Sequence, residues 1–116
     1  MSLPIWKNVL GLPLMYRVII DSKAEQDLFD IFLYITETLN ATDAAEQLYS
    51  KIKKKLSNLS SMPHRCPLIS TEPYKSLGVR KLFIENYIAF FLINETSREI
   101  HVFRILYNRQ QWNRLI

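Results

Sequence analysis

The sequence predicts an α+β fold, a helical hairpin packed on a mostly antiparallel four-stranded sheet in the chain order β-α-α-β-β-β. Three observations predict it. A short aromatic and β-branched run, Tyr16-Arg17-Val18-Ile19-Ile20, precedes everything helical. Two stretches with apolar residues at helical period follow, separated only by Asn40-Ala41-Thr42. Three runs rich in Val, Ile, Phe and Tyr then close the chain, with turn sequences between them.

Each element has a local reason. The first strand ends at Asp21, and Ser22 with Glu25 three residues on is the pattern of a capping box that opens a helix. In that helix Ala24, Leu28, Ile31, Ile35 and Leu39 form one apolar stripe. Thr42 is placed to cap a second helix, whose stripe is Ala45, Leu48, Ile52, Leu56 and Leu59, with Lys51, Lys53, Lys54 and Lys55 turned largely outward. A connection this short forces the two helices into an antiparallel hairpin. Residues 63 to 76 carry Pro63, Pro67 and Pro73 and read as a loop. Residues 79–84, 87–93 and 99–107 read as strands, and Glu85-Asn86 and Asn94 to Arg98 as the turns that make two hairpins of them. Residues 1–15, with Pro4, Gly11 and Pro13, read as an N-terminal extension outside the core fold, leaving 16–116 as one domain.

Composition narrows the class. At 116 residues, 48% hydrophobic and with two glycines, the chain is long enough and apolar enough to bury a core without staples. Cys66 is the single cysteine, so no internal disulfide can form, and two scattered histidines argue against structural zinc. No cofactor is expected. No apolar run approaches the length of a membrane span, and Pro13 interrupts the only stretch that resembles a leader, so the reading is cytoplasmic. The net charge of +4 is concentrated after residue 60, where eight basic residues face four acidic ones. After Lys81 every basic residue is an arginine, the side chain suited to two-point contact with phosphate and carboxylate.

Alternation along the last strands predicts a sheet apolar on both faces. Residues Tyr87, Ala89, Phe91 and Ile93 occupy one face, and Ile88, Phe90 and Leu92 the other. In the final strand Ile100, Val102 and Leu106 share a face with Arg104, while Phe103, Ile105 and Tyr107 lie opposite with His101. One helical hairpin covers one face. The second face is therefore covered either by the 63–76 loop and the N-terminal lead, or by a partner.

The landmarks, in order, are Tyr16–Ile20 opening onto Lys23-Ala24-Glu25-Gln26-Asp27-Leu28, then Met62-Pro63-His64-Arg65, Gly78-Val79-Arg80-Lys81-Leu82, Asn86-Tyr87, and Arg104 to Trp112. Taken together they resemble the RelE/ParE superfamily of toxins from type II toxin–antitoxin modules, over nearly all of the chain after Met15. The resemblance implies a small toxin neutralised by a cognate antitoxin protein, in a hetero-oligomer. It implies one of two activities: ribosome-dependent cleavage of messenger RNA, as in RelE-like members, or poisoning of DNA gyrase without nuclease activity, as in ParE-like ones.

The resemblance to RelE-like nucleases places catalytic roles on Arg80, Tyr107 and Arg109, and RNA or phosphate contacts on Lys81, Arg104 and Arg114. Their chemistry would be proton transfer at a ribose hydroxyl and cationic stabilisation of the phosphorane. On this count messenger-RNA cleavage is the leading expectation. Ile88, standing where RelE proper has an arginine, and the long hairpin favour the gyrase alternative. A non-catalytic RNA-binding module on the same scaffold is the third reading. Antitoxin contacts are expected at Phe90, Phe103 and Tyr107. His101, alternating with apolar neighbours, reads as a packed or pairing histidine; His64 reads as a surface residue, Cys66 as structural and Trp112 as an anchor of the tail.

Overall fold

The computed structural model describes residues 15–108. Strand β1, Arg17–Ile20, leads into helix α1, Ser22–Leu33, which continues as a wider π-helical turn over Tyr34–Thr38. Helix α2 runs Thr42–Ser57 and α3 is a single turn, Tyr74–Leu77. Strands β2, β3 and β4 span Arg80–Ile84, Tyr87–Asn94 and Glu99–Tyr107. The sheet order is β1-β4-β3-β2. Only the β1–β4 pair is parallel; both hairpins are antiparallel, as their short turns require.

The main core lies between the helical hairpin and the sheet. Ala24 and Leu28 of α1 and Ile52 and Leu56 of α2 meet Ile84, Ala89, Phe91, Ile100, Val102 and Ile105. The α2 stripe holds in the main, with Ala45, Ile52, Leu56 and Leu59 buried and Leu48 half-buried. The α1 stripe does not hold to its end. Ile35 is buried, but Leu39 is 55% exposed. The cause is the π-helical turn, in which the Leu39 N–H donates five residues back to the Tyr34 carbonyl at 3.2 Å. That turn advances each residue less around the axis, so Leu39 is carried off the buried stripe. The Thr36 hydroxyl bonds back to the Phe32 and Leu33 carbonyls at 3.0 and 3.2 Å, a contact that loosens the ladder at this place.

Helix starts also differ in detail. Asp21, not Ser22, stands at the N-cap of α1 and Ala41, not Thr42, at that of α2, and neither makes a side-chain cap bond. The Asp21 carboxylate is engaged elsewhere, on His101.

The face assignment of β4 is corrected by a bulge. Phe90 pairs with Arg104 while Phe91 pairs with Val102, which leaves Phe103 as an extra residue. One inserted residue exchanges the faces of everything beyond it. Ile105 therefore joins the main core and Leu106 the opposite one, the reverse of strict alternation.

The second apolar face is covered by the chain's own loop. Ile69 and Val79 pack with Ile88, Phe90 and Leu106, and Tyr74 and Phe103 close the margin. The loop is tied to β2 by backbone bonds, Ile69 N–H to the Val79 carbonyl at 2.9 Å and Lys81 N–H to Pro67 at 3.1 Å. Of the two covers the alternation left open, the loop supplies this one. Phe90 has no exposed surface left to offer a partner.

Candidate functional site

Where β1 ends, the outer edge of β4 would leave backbone groups open. Helix α1 closes that edge. The Asp21 N–H extends the ladder to the Val102 carbonyl at 2.9 Å. One turn into the helix, Asp27 accepts the Ile105 N–H at 3.0 Å and the Arg104 Nε–H and Nη2–H at 2.7 and 3.1 Å. Asp27 is 7% exposed, the one buried ionisable carboxylate among the described residues. Arg104 stands just past the bulge at Phe103, and its guanidinium reaches α1 at the sheet edge.

Beside this pair the hairpin and the sheet diverge and leave a groove of about 940 Å³. Ile31, Tyr34, Ile35 and Leu39 form one wall, Ala44, Leu48 and Lys51 the second, and Tyr87, Ile105 and Tyr107 the floor. Tyr34, Leu39 and Tyr107 are exposed here, at 54%, 55% and 38%. The Tyr87 and Tyr107 rings lie 5.6 Å apart at 57°, and burial raises the Tyr87 hydroxyl above its ordinary pKa, with Tyr107 and Tyr34 adding to the effect. Lys23, Asp27, Asp30 and Arg104 also line the groove, as does the Lys51–Glu85 ion pair, whose closest atoms are 2.8 Å apart. An apolar trough with charged groups along its lining suits an amphipathic segment. Its key aromatic and aliphatic residues, Tyr34, Leu39 and Tyr87, were not among the sequence candidates. The available signal was the β-branched run Ile35-Thr36-Glu37-Thr38, a poor continuation for a regular helix.

The candidate nuclease residues are not gathered in one place: Tyr107 and Arg104 line the groove, and Arg80 and Lys81 do not. Arg80 pairs with Phe91 across β2–β3, whereas Tyr107 pairs with Tyr87 across β3–β4. Two strand spacings sideways and four residues along put their backbones about 16 Å apart, at opposite ends of the sheet. Arg80 is also occupied: its Nη1 donates to the His64 and Cys66 carbonyls at 3.1 and 2.6 Å. Arg104 is held by Asp27 as described. Lys81 lies on the other face, its ammonium 5.4 Å from the Phe83 ring centre. Phe103 is half-buried at the edge of the second core. Arg109, Arg114 and Trp112 lie outside the described residues.

At the end of the sheet away from the groove, a polar cluster joins three distant segments. Tyr16 donates to Glu95 at 2.7 Å and accepts from Arg98 at 3.0 Å, and His64 Nε2 lies 2.5 Å from Glu95. The Tyr16 bond, ahead of the His64 and Arg98 charges, holds Glu95 below the usual carboxylate range. His64 is thus an exposed pairing residue. Cys66 is buried, and that burial pushes its thiol up, which suits a packed side chain and not a nucleophile.

Residues 18–112 match the family described as ParE toxin of type II toxin–antitoxin system, parDE, which is most of the chain. The chain belongs to the ParE toxin family. No curated protein sequence matches it significantly. Among solved structures, this ParE-family chain is similar to one in the chromosomal ParDE system from P. aeruginosa, with a TM-score of 0.65, 24% identity, and 80% of this chain and 96% of that one covered. It is similar also to a chain of the RelBE2 toxin–antitoxin complex from Mycobacterium tuberculosis, at 0.62 and 14% identity over 81% and 99%. A chain of the E. coli RelBE complex aligns at 0.53 and 14% over 82% and 99%. These likenesses establish the fold that ParE and RelE chains share. No helix among the described residues is long and apolar enough to cross a membrane.

Proposed function

We propose that this ParE-family toxin acts as a poison of DNA gyrase and does not cut messenger RNA, and that a cognate antitoxin neutralises it by seating an amphipathic segment in the groove between hairpin and sheet. The observation that carries the first part is the separation of Arg80 from Tyr107. A phosphodiester cleft needs its donors within hydrogen-bond reach of one phosphate, and with about 16 Å between their backbones the two side chains would have to reach toward each other from opposite ends of the sheet. Arg80 and Arg104 are in addition occupied by carbonyl and carboxylate partners inside the fold. The match to the ParE family supports the same reading.

The second part rests on the groove, with Tyr34, Leu39 and Tyr107 exposed beside the buried Ile35 and Ile105. The similar RelBE2 chain comes from a toxin–antitoxin complex, which supports an antitoxin as the occupant. In this reading Tyr107 is an antitoxin contact, and the contact surface lies in the groove and not on Phe90 or Phe103, which pack in the second core.

The test runs two reactions side by side with purified full-length chain: supercoiled DNA with gyrase, scored for trapped cleavage complexes, and ribosomes programmed with messenger RNA, scored for cuts. Cleavage complexes with intact messenger RNA are expected. Messenger RNA cut by the wild type and spared by Arg80→Ala or Tyr107→Phe would overturn the gyrase reading and restore the nuclease. For the groove, Leu39→Glu should weaken binding to the co-encoded antitoxin at least tenfold, the scale of a buried interface residue, while leaving the unfolding midpoint unchanged.

A further inference from the structure

The seam between β1 and β4 carries a ladder of alternating charge on the face away from the hairpin. Arg17 at the start of β1 is ion-paired to Glu99 across the strand pair. His101, two residues along β4, stands between two carboxylates. Its Nε2 is 3.2 Å from Glu99 Oε1 and its Nδ1 is 3.3 Å from Asp21 Oδ1, at the junction of β1 and α1. These two carboxylates are the charged groups facing the ring. Arg17 and the Ser97 hydroxyl face Glu99 behind it, and β3 opposes His101 with the non-titrating Leu92.

The geometry fixes the protonation state that fits. A carboxylate only accepts, and a neutral imidazole carries one N–H. Neutral His101 can satisfy Asp21 or Glu99, and it then presents a nitrogen lone pair to the other. Only the imidazolium donates to both. We propose that His101 is a pH-sensitive clasp that fastens the edge strand β1 to the sheet when protonated and releases its hold when neutral.

The fastening matters because β1 is a short edge strand, although Val18 and Ile20 pack against the core. It has four residues, pairs on one side only, and uses the less favourable parallel ladder. Its two ends are anchored by the Arg17 N–H on the Arg98 carbonyl at 2.8 Å and the Asp21 N–H on Val102 at 2.9 Å. The ion-pair ladder spans the same interval. The two carboxylates raise the His101 pKa above its ordinary value, first by hydrogen bonding, which outweighs the opposing effect of burial, and to a lesser degree by their charge. A raised folded pKa gives a stabilisation fully present below the unfolded pKa of about 6.5 and lost as pH rises through the folded value. The clasp is closed in mildly acidic solution and open in alkaline solution.

Amide hydrogen exchange on the full-length chain reads this directly. The protection of the Arg17 and Asp21 amides is followed from pH 5.5 to 8.5, corrected for intrinsic rates and divided by that of the Ala89 amide in central β3. For partly exposed pairs a fall of about two- to tenfold is expected across that range. His101→Gln, which cannot titrate, should flatten the profile, and His101→Lys, charged throughout, should keep the pH 5.5 protection at pH 8.5. A flat wild-type profile, or an equal fall in His101→Gln, overturns the proposal. Should either variant fold poorly, the ring titration of wild-type His101 by NMR decides: a midpoint above 6.5 that coincides with the loss of protection supports the clasp, and one at or below 6.5 defeats it.

Discussion

Replacing Asp27 by alanine should be among the most damaging single changes in this protein. The carboxylate is 7% exposed and accepts three bonds, from Arg104 Nε and Nη2 and from the Ile105 backbone. Its removal strips the counter-charge from a guanidinium only 15% exposed and leaves a sheet-edge N–H without its acceptor. Breaking a buried ion pair from one side costs about 3–5 kcal/mol, and an orphaned buried N–H about 1–3 kcal/mol. The two overlap, because α1 can shift once released, so a total of about 4 kcal/mol is expected. Asp27→Asn keeps an acceptor for Ile105 and should cost about half as much. Urea unfolding followed by circular dichroism measures it. With a slope of about 1.5 kcal/mol per molar, Asp27→Ala should lower the midpoint by about 2–3 M. Asp30→Ala, one turn on and exposed, serves as the control and should stay within about 0.5 kcal/mol of wild type. If Asp27→Ala costs no more than that control, the buried pair is not what holds α1 against the β4 edge.

Arg80→Ala should cost about 1–3 kcal/mol by equilibrium unfolding, because two loop carbonyls lose a charged donor; no loss would show that the 63–66 turn is held by other contacts. Gly78→Ala should lower stability by about 1 kcal/mol, since Gly78 adopts φ +82° at the end of α3, and the cost is conformational because a Cβ there meets nothing within 4 Å. Glu95, held below the usual carboxylate range, contributes stability that is present above its unfolded pKa of about 4.3 and lost as pH falls through its lower folded value. The urea midpoint should therefore drop between about pH 4.5 and 2.5, and Glu95→Gln should reduce that drop.

The strands, the hairpin and their order were legible because each rests on short-range chemistry. Period-2 and period-3.6 patterning, the β-branched content of 16–20 and the two short turns of the final strands determine those elements wherever they sit. β4 follows its predicted bounds, Glu99–Tyr107, and α2 buries the stripe that its spacing dictates. Family membership was legible too, since it depends on the order of such segments along the chain.

What the tertiary structure decided are the places where two elements compete for one residue. Leu39 continues the α1 stripe by spacing, but the π-helical turn carries it into the groove. Arg104 and Ile105 follow strict alternation until the bulge at Phe103 exchanges their faces, and beyond it the Ile105 N–H meets Asp27 of α1. Phe90 lies on a face that the strands alone leave bare, and it is buried because Ile69, Tyr74 and Val79 return over it from the loop. The distance between Arg80 and Tyr107 is likewise a property of register: two hairpins fix which ends of β2 and β4 coincide, and no local pattern in either strand records it.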